Sequence, residues 1–387
     1  MKRALWLLGL LAILAADLLA IYIVRPRLYL LSFVAMGLFA LAVHGAIWFR
    51  KTRAANWFVS LAATGVFLAL LDPFAVLTQH DVVRLEGSWT ERYHYVFDDQ
   101  LGIVLPRAIS AEARKLTDGH LDYDVTYTID ADGHRATAGS TDPAAGNVLF
   151  LGCSFTFGQG LNDADTLPQQ FSTLTGQHYN VVNFGVPTYG LHQPVRILEL
   201  GLPDAVLTKG QRIIVYSAIP DHARRAAAAY DWAARGPAYQ LGPEGVASYR
   251  GNLYGPVSGL AIAASSRSLF ISRYIFGPWF GHSNVDPVPL YIGLVKRARQ
   301  LAEQKYHAQF VMLFWDDPEP GEPTARIEAE LDKQGIAYVP VSSIIPDLLR
   351  NNAAYRVSPF DQHPNAAANR LIAAYLAKRF AAGPIAP

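Results

Sequence analysis

The chain lacks the features that would tie its function to sulfur, charge or repetition. A single cysteine, Cys153, in 387 residues excludes an intramolecular disulfide framework and any multi-cysteine zinc site. Charged residues make up only 17% of the chain. The 33 Lys+Arg and 32 Asp+Glu nearly cancel, leaving a net charge of +1. No general field for polyanions follows, and nucleic acid is not an expected partner. Internal repeats and low-complexity tracts are absent. What the chain has instead is apolar mass, 51% hydrophobic residues with a mean hydropathy of +0.15. Much of it stands at the front.

Ala4 to Val24, Tyr29 to Phe49 and Trp57 to Leu77 are apolar runs of 21 residues each, which predict three transmembrane helices in a membrane domain over 1–79. Lys2 and Arg3 before the first run suggest a signal peptide, but the run is long and has no small-x-small cleavage site. It reads as a retained helix. Lys2, Arg3, Arg50, Lys51 and Arg53 flank one side and only Arg25 and Arg27 the other. This bias places the amino terminus in the cytoplasm and the chain beyond about residue 80 outside it, in the periplasm if the host has one. Asp72 and Pro73 interrupt the third run; if it does not cross, the large domain is cytoplasmic. Asp17 and His44 lie inside the runs about 10 Å apart in depth, which reads as helix packing or snorkelling rather than a relay.

From His80 to Pro387 there are 308 residues, enough for one large domain and an appendage. Residues 80–146 read as a β-rich leader. Tyr123 to Ile129 alternates, Asp130-Ala131-Asp132-Gly133 turns, and His134 to Thr137 returns. The Asp-x-Asp-Gly fails as a calcium loop because its glycine comes too early and Thr141 stands where a bidentate Glu is needed. From 147 to 387, short apolar runs (148–151, 181–184, 213–217, 310–314, 337–339) alternate with amphipathic segments (290–306, 325–334, 365–380). That rhythm predicts an α/β domain with a buried parallel sheet covered on both faces. Residues 223–289 interrupt it as a cap or an insertion over one sheet edge.

Ligands in open α/β sheets gather at the carboxyl ends of strands. The first strand runs out into Gly152-Cys153-Ser154, where a hydroxyl can be held as a nucleophile beside a backbone N–H able to bind an oxyanion. The second runs out into Asn183-Phe184-Gly185, offering a further N–H at Gly185. Near the end, Asp361-Gln362-His363-Pro364 leads into the last helix, with Asp361 and His363 expected in the loop just before it. Serine is a weak nucleophile alone. An imidazole must take its proton and a carboxylate must hold the imidazole's tautomer.

Val-Leu-Phe-Leu-Gly-Cys-Ser-Phe-Thr-Phe-Gly (148–158), Asn-Phe-Gly-Val-Pro-Thr-Tyr-Gly (183–190) and Asp-Gln-His-Pro-Asn (361–365) resemble the blocks of the SGNH (GDSL-like) hydrolase superfamily. The likeness covers roughly residues 147 to 380. It implies a three-layer α/β/α, flavodoxin-like domain, with Ser154 as nucleophile, His363 as general base and Asp361 as its orienting carboxylate. The N–H groups of Ser154 and Gly185 become oxyanion donors. Residues 95–102 and 127–135 resemble the β-rich leader of membrane-linked members. Three departures stand out: Cys153 where Asp is more usual, Asp-x-His where many members have Asp-x-x-His, and no asparagine after the third strand. There the chain reads Tyr216-Ser-Ala-Ile-Pro-Asp-His222, so Ser217 or His222 is left to replace the missing donor.

Cys153 reads as a packing residue rather than a thiol nucleophile. His192 lines the cleft or packs. Arg224 and Arg225 hold an anionic substrate or form a solvated face. Trp315 stacks on a sugar or is an ordinary loop aromatic. No cofactor and no metal are expected. The resulting expectation is a membrane-anchored, extracytoplasmic serine esterase or O-acyl (acetyl) transferase. It would act on an envelope or exported carbohydrate, with the lipid bilayer and, for transfer, a multi-span acyl-donor protein as partners. The alternative is an inactive carbohydrate-binding or assembly subunit on the same fold.

Overall fold

In the computed structural model, residues 6, 8–13, 30–71, 73–74, 83–87, 95–228, 230, 236–252, 286–317, 321 and 323–381 are described. The chain divides into two compact units, one centred on the N-terminal helices and one on the α/β domain.

The N-terminal unit contains α1 (Leu30–Trp48, 19 residues) packed on α2 (Ala54–Ala69, 16 residues). Both are shorter than the 21-residue runs expected of them. Among the described residues no helix is long and apolar enough to cross a membrane. Most of the first run, with Asp17, lies outside the described residues, as do Asp72 and the end of the third run. His44 packs: its ring stacks between Trp6 and Trp48, with Nε2 3.3 Å from the Trp6 carbonyl.

In the second unit the leader folds first. β1 (Val83–Glu86), β4 (Ile109–Thr117) and β5 (His120–Ile129) form an antiparallel sheet, and β2 (Val96–Asp98) pairs with β3 (Gly102–Val104). The β4–β5 hairpin closes through Asp118-Gly119, both at positive φ, the two-residue turn whose twist suits a hairpin. The return strand expected over 134–137 is reduced to single bridges from Arg135 to Ile129 and to Asn183. The partner of Tyr123–Ile129 is therefore upstream, because the Asp118-Gly119 turn closes a nine-residue partner strand beside it. Asp130 caps its own turn, accepting the N–H groups of Asp132 and His134 through Oδ1.

The main sheet is parallel, ordered β12–β11–β8–β6–β7, with β6 at Gly146–Gly152, β7 at Tyr179–Gly185, β8 at Arg212–Ala218, β11 at Gln309–Phe314 and β12 at Val339–Pro340. The chain steps from β6 to β7 on one side, then back across to β8. Right-handed crossovers therefore put the helices after β6 and after β7 on opposite faces. α4 (Leu167–Leu174) packs on α9 (Ala366–Ala381) on one face. The other carries α5 (His192–Leu200), α7 (Val288–Gln300) and α8 (Thr324–Lys333). The expected three layers are present, and the reversal of strand order falls at the carboxyl end of β6.

Leader and sheet share one hydrophobic core: Leu101, Tyr127 and Ile129 belong to the same buried cluster as Phe150, Ile214 and Leu313. The leader is thus no separate domain. Of the segment 223–289, the described hairpin of β9 (Pro237–Leu241) and β10 (Ala247–Asn252) sits on α5 and α7. Tyr239 donates to Glu199 at 2.9 Å and the Arg196 guanidinium lies 3.7 Å over the Tyr249 ring. This part covers a helix layer, not a sheet edge.

Candidate active site

β6 ends at Gly152, and Cys153 caps the four-residue helix α3 (Ser154–Phe157), its carbonyl accepting from Thr156 at 3.1 Å and Phe157 at 2.9 Å. Ser154 holds the first helical position, where a backbone N–H has no intrahelical acceptor. Gly185 on β7 lies against this helix so closely that a Cβ there would sit 2.4 Å from the Phe157 nitrogen. Glycine is required by that approach.

Asp361 and His363 do not lie in a loop. They sit on β14 (Asp361–Pro364), which pairs antiparallel with β13 (Arg356–Ser358). Side chains two apart on a strand share a face, so the Asp-x-His spacing brings the carboxylate to the imidazole. His363 Nδ1 lies 2.6 Å from Asp361 Oδ1, which also accepts the His363 backbone N–H at 2.9 Å. His363 Nε2 lies 2.8 Å from Ser154 Oγ. An ionised carboxylate accepts only, so Nδ1 carries the ring proton and Nε2 faces the hydroxyl as an acceptor. Asn365 then starts α9, its Oδ1 accepting from Ala368 at 3.1 Å.

Burial alone would raise the Asp361 pKa. The His363 hydrogen bonds outweigh it, helped by Lys115 Nζ at 2.8 Å, and hold the carboxyl well below the usual carboxylate range. Lys115 was not among the expected site residues; it comes from β4 of the leader. Arg356 ties the β13–β14 hairpin to the exit of β11, donating to Asp317 Oδ2 and, at 2.7 Å, to the Gln362 carbonyl. Burial pushes its guanidinium down to about 10.

Other expected site residues are placed differently. Gly185 N–H is engaged by the Asn183 side chain, donating to Oδ1 at 2.9 Å, while Asn183 Nδ2 donates to the Thr156 carbonyl. In this structure that N–H is not an open oxyanion donor. Trp315 is 2% exposed, edge-on to Phe155, and its indole N–H donates to Ser217 Oγ at 3.3 Å. It fills core and offers no platform for a sugar. Ser217 is thereby enclosed as well. Cys153 is buried, as a packing residue would be. Arg225 is turned inward to Asp221 at 2.7 Å and the Tyr189 carbonyl at 2.9 Å, whereas Arg224 is half-buried on α6 (Asp221–Ala226).

His192 and His222 are both buried rather than cleft-lining. Tyr216 OH lies 2.6 Å from His222 Nδ1 and 3.3 Å from Tyr291 OH. Burial holds the Tyr216 phenol well above its ordinary value, so it keeps its proton. Burial, with Arg225 and His192 nearby, depresses His222 strongly. The ring is then neutral, and its Nε2 has no hydrogen-bond partner among the described residues. Both ring nitrogens of His192 are likewise without one. Burial and then Arg225 lower His192 to about 3. In the unfolded chain a histidine titrates near 6.5, so between about pH 6.5 and 3 the unfolded state binds the extra proton. Folding stability is full above that window and is lost as pH falls through it. Unfolding free energy should decline by up to about 1.4 kcal/mol per pH unit from this residue. His192→Leu should flatten that part of the denaturation profile; an unaltered slope would mean that His192 is not buried neutral.

Among the described residues no group of three or more His, Cys, Asp or Glu side chains is placed to hold a metal ion.

No family model and no curated protein matches the chain. Solved structures similar to it include one described as a lipolytic protein of the G-D-S-L family from Desulfitobacterium hafniense (12% identity, TM-score 0.34, covering 60% of this chain and 98% of that one), and one described as an arylesterase from Agrobacterium tumefaciens (14%, 0.34, 61% and 98%). Likeness at this level decides neither fold nor activity, so the functional reading rests on the site itself.

Proposed function

We propose that the chain is a serine ester hydrolase or O-acyl transferase that forms an acyl-enzyme on Ser154. The observation that carries this reading is the continuous relay Ser154 Oγ–His363 Nε2 (2.8 Å) and His363 Nδ1–Asp361 Oδ1 (2.6 Å), assembled from residues 209 positions apart in sequence. His363 takes the Ser154 proton as Oγ bonds to the acyl carbon. The tetrahedral intermediate collapses as the imidazolium returns that proton to the departing alkoxide, leaving the acyl-enzyme. Water or an acceptor hydroxyl then attacks, His363 taking its proton and passing it back to Ser154. Asp361 holds the Nδ1 proton throughout. The Ser154 N–H is one oxyanion donor. Ser217 and His222, the two side chains expected to replace the missing asparagine, are enclosed at 1% and 0% exposure, so this reading assigns neither a donor role.

The substrate in this reading is an O-acyl, chiefly acetyl, group on an envelope or exported carbohydrate, and the domain is tethered to the outer face of a membrane. Transfer would bring in a multi-span acyl-donor protein. Support for tethering is the three 21-residue apolar runs, the basic-residue bias, and large apolar side chains exposed on the N-terminal helices, with Trp57 at 80% and Ile47 at 65%. Support for the carbohydrate is the sequence resemblance to membrane-linked members of the superfamily.

Labelling by a fluorophosphonate tests the chemistry without knowledge of the substrate. Wild-type protein should label at Ser154, and Ser154→Ala should not. Equal labelling of the two would remove Ser154 from the mechanism. A non-catalytic carbohydrate-binding subunit is the second reading, favoured by the engagement of Gly185 N–H with Asn183. It predicts no labelling of the folded wild-type protein.

A further inference from the structure

The two oxygens of Asp361 are divided between two parts of the chain. Oδ1 serves His363, while Oδ2 accepts from Lys115 Nζ at 2.8 Å, across 246 residues of sequence. Both side chains are enclosed, Lys115 at 15% and Asp361 at 1% exposure. Lys115 is itself held. Its Nζ lies 3.6 Å from Asp122 Oδ2, and Asp122 accepts from the Thr117 hydroxyl at 2.5 Å and from the Ser358 hydroxyl. Ser358 is the residue paired with Asp361 across β13 and β14. The clamp therefore starts on the leader hairpin, passes through Asp361, and closes on the same two-stranded ribbon that carries the His363 imidazole.

We infer that Lys115 is a positioning residue for the proposed reaction, keeping Asp361 turned toward His363 and offsetting its negative charge, so that the leader completes the active site. The inference rests on the acyl-enzyme reading for its catalytic consequence. An enclosed carboxylate with one partner can rotate, which frees the imidazole to choose the wrong tautomer, and its charge then acts on the imidazole without a counter-charge. An ammonium on the far oxygen opposes both. The charged and titratable groups facing this pair are Lys115 and Asp122 from the leader, Arg356 with Asp317 from β13 and the β11 exit, and the phenols of Tyr123 and Tyr127. Deleting the Lys115 charge leaves the group one unit more negative, which favours imidazolium over imidazole.

The test uses the full-length protein in detergent with 15N-labelled histidine rings, following both the His363 titration by NMR and the pH profile of fluorophosphonate labelling. In Lys115→Met the His363 midpoint and the acid limb of labelling should both rise by about one pH unit, with labelling below the limb about tenfold slower. Lys115→Arg should restore both. Asp122→Asn, which removes a negative charge instead, should move them the other way, a reversal that a merely structural contact would not give. It also serves if Lys115→Met fails to fold. Midpoint and limb staying at their wild-type positions in the folded variants overturn the inference. Wild-type protein that does not label, with the midpoint shifts intact, overturns the acyl-enzyme reading and leaves the hold of Lys115 on Asp361 standing.

Discussion

Replacing Ser154 by Ala or His363 by Ala should each lower kcat for p-nitrophenyl acetate by roughly 10⁴–10⁶, and the double variant should lose no more than the worse single one. The reason lies in the 2.8 Å contact between Oγ and Nε2. Without the imidazole, the serine hydroxyl has no acceptor for its proton as it attacks. Without the hydroxyl, the imidazole has no nucleophile to activate, and either loss leaves only what the oxyanion donors and substrate binding supply. Independent contributions would multiply, so a double variant slower than either single one by their full product would show that the two side chains do not act as a unit. Ser154→Ala should also leave stability nearly unchanged, since it removes little packing volume, whereas His363→Ala takes the 2.6 Å partner from the enclosed Asp361 carboxylate and should cost about 1–3 kcal/mol.

The features legible in the sequence are those carried by local pattern. Apolar runs at 148–151, 181–184, 213–217 and 310–314 became β6, β7, β8 and β11 within two residues at each end, because buried parallel strands need continuous apolar residues. Ser154, Asp361 and His363 stood out because strand ends and short polar motifs mark them. The β13–β14 ribbon did not stand out: three or four residues with Pro359 between them carry too little alternation to read as strands. Trp315 looked available because it follows a strand at the active end of the sheet. Its burial depends on Phe155 and Ser217, which only the assembled sheet brings there. Gly185 likewise looked like an open donor until Asn183, two residues earlier on the same strand, turned its side chain back onto it. Lys115 had no local signal at all. On β4 it is one basic residue among Glu112, Arg114 and Lys115, and its partner is 246 residues away.

The leader makes a second long-range demand, and Arg135 carries it. This guanidinium is fully buried, and it donates to Asp163 Oδ1 at 2.7 Å, to the Leu161 carbonyl at 2.9 Å and to the Phe157 carbonyl at 3.3 Å, while lying over the rings of Tyr127 and Phe157 at 4.4 and 4.6 Å. It thus braces the turn that leaves α3, directly behind Ser154. Arg135→Met keeps most of the apolar stem but strips the donors from two enclosed carbonyls, each costing about 1–3 kcal/mol when left unsatisfied. Asp163 is a third exposed, so water can replace part of what it loses, and its share is small. The expected loss is about 3–5 kcal/mol, a fall in melting temperature on the order of 10 °C. Arg135→Lys should recover little, since a single ammonium cannot span carbonyls and carboxylate in the planar fork. Chemical denaturation of the full-length protein reads this directly, and a loss under 1 kcal/mol would mean that the turn holds without its brace. Because Arg135 touches neither Asp361 nor His363, the molecules still folded should keep the wild-type position of the acid limb in fluorophosphonate labelling. That separates a brace on the backbone from the charge carried by Lys115.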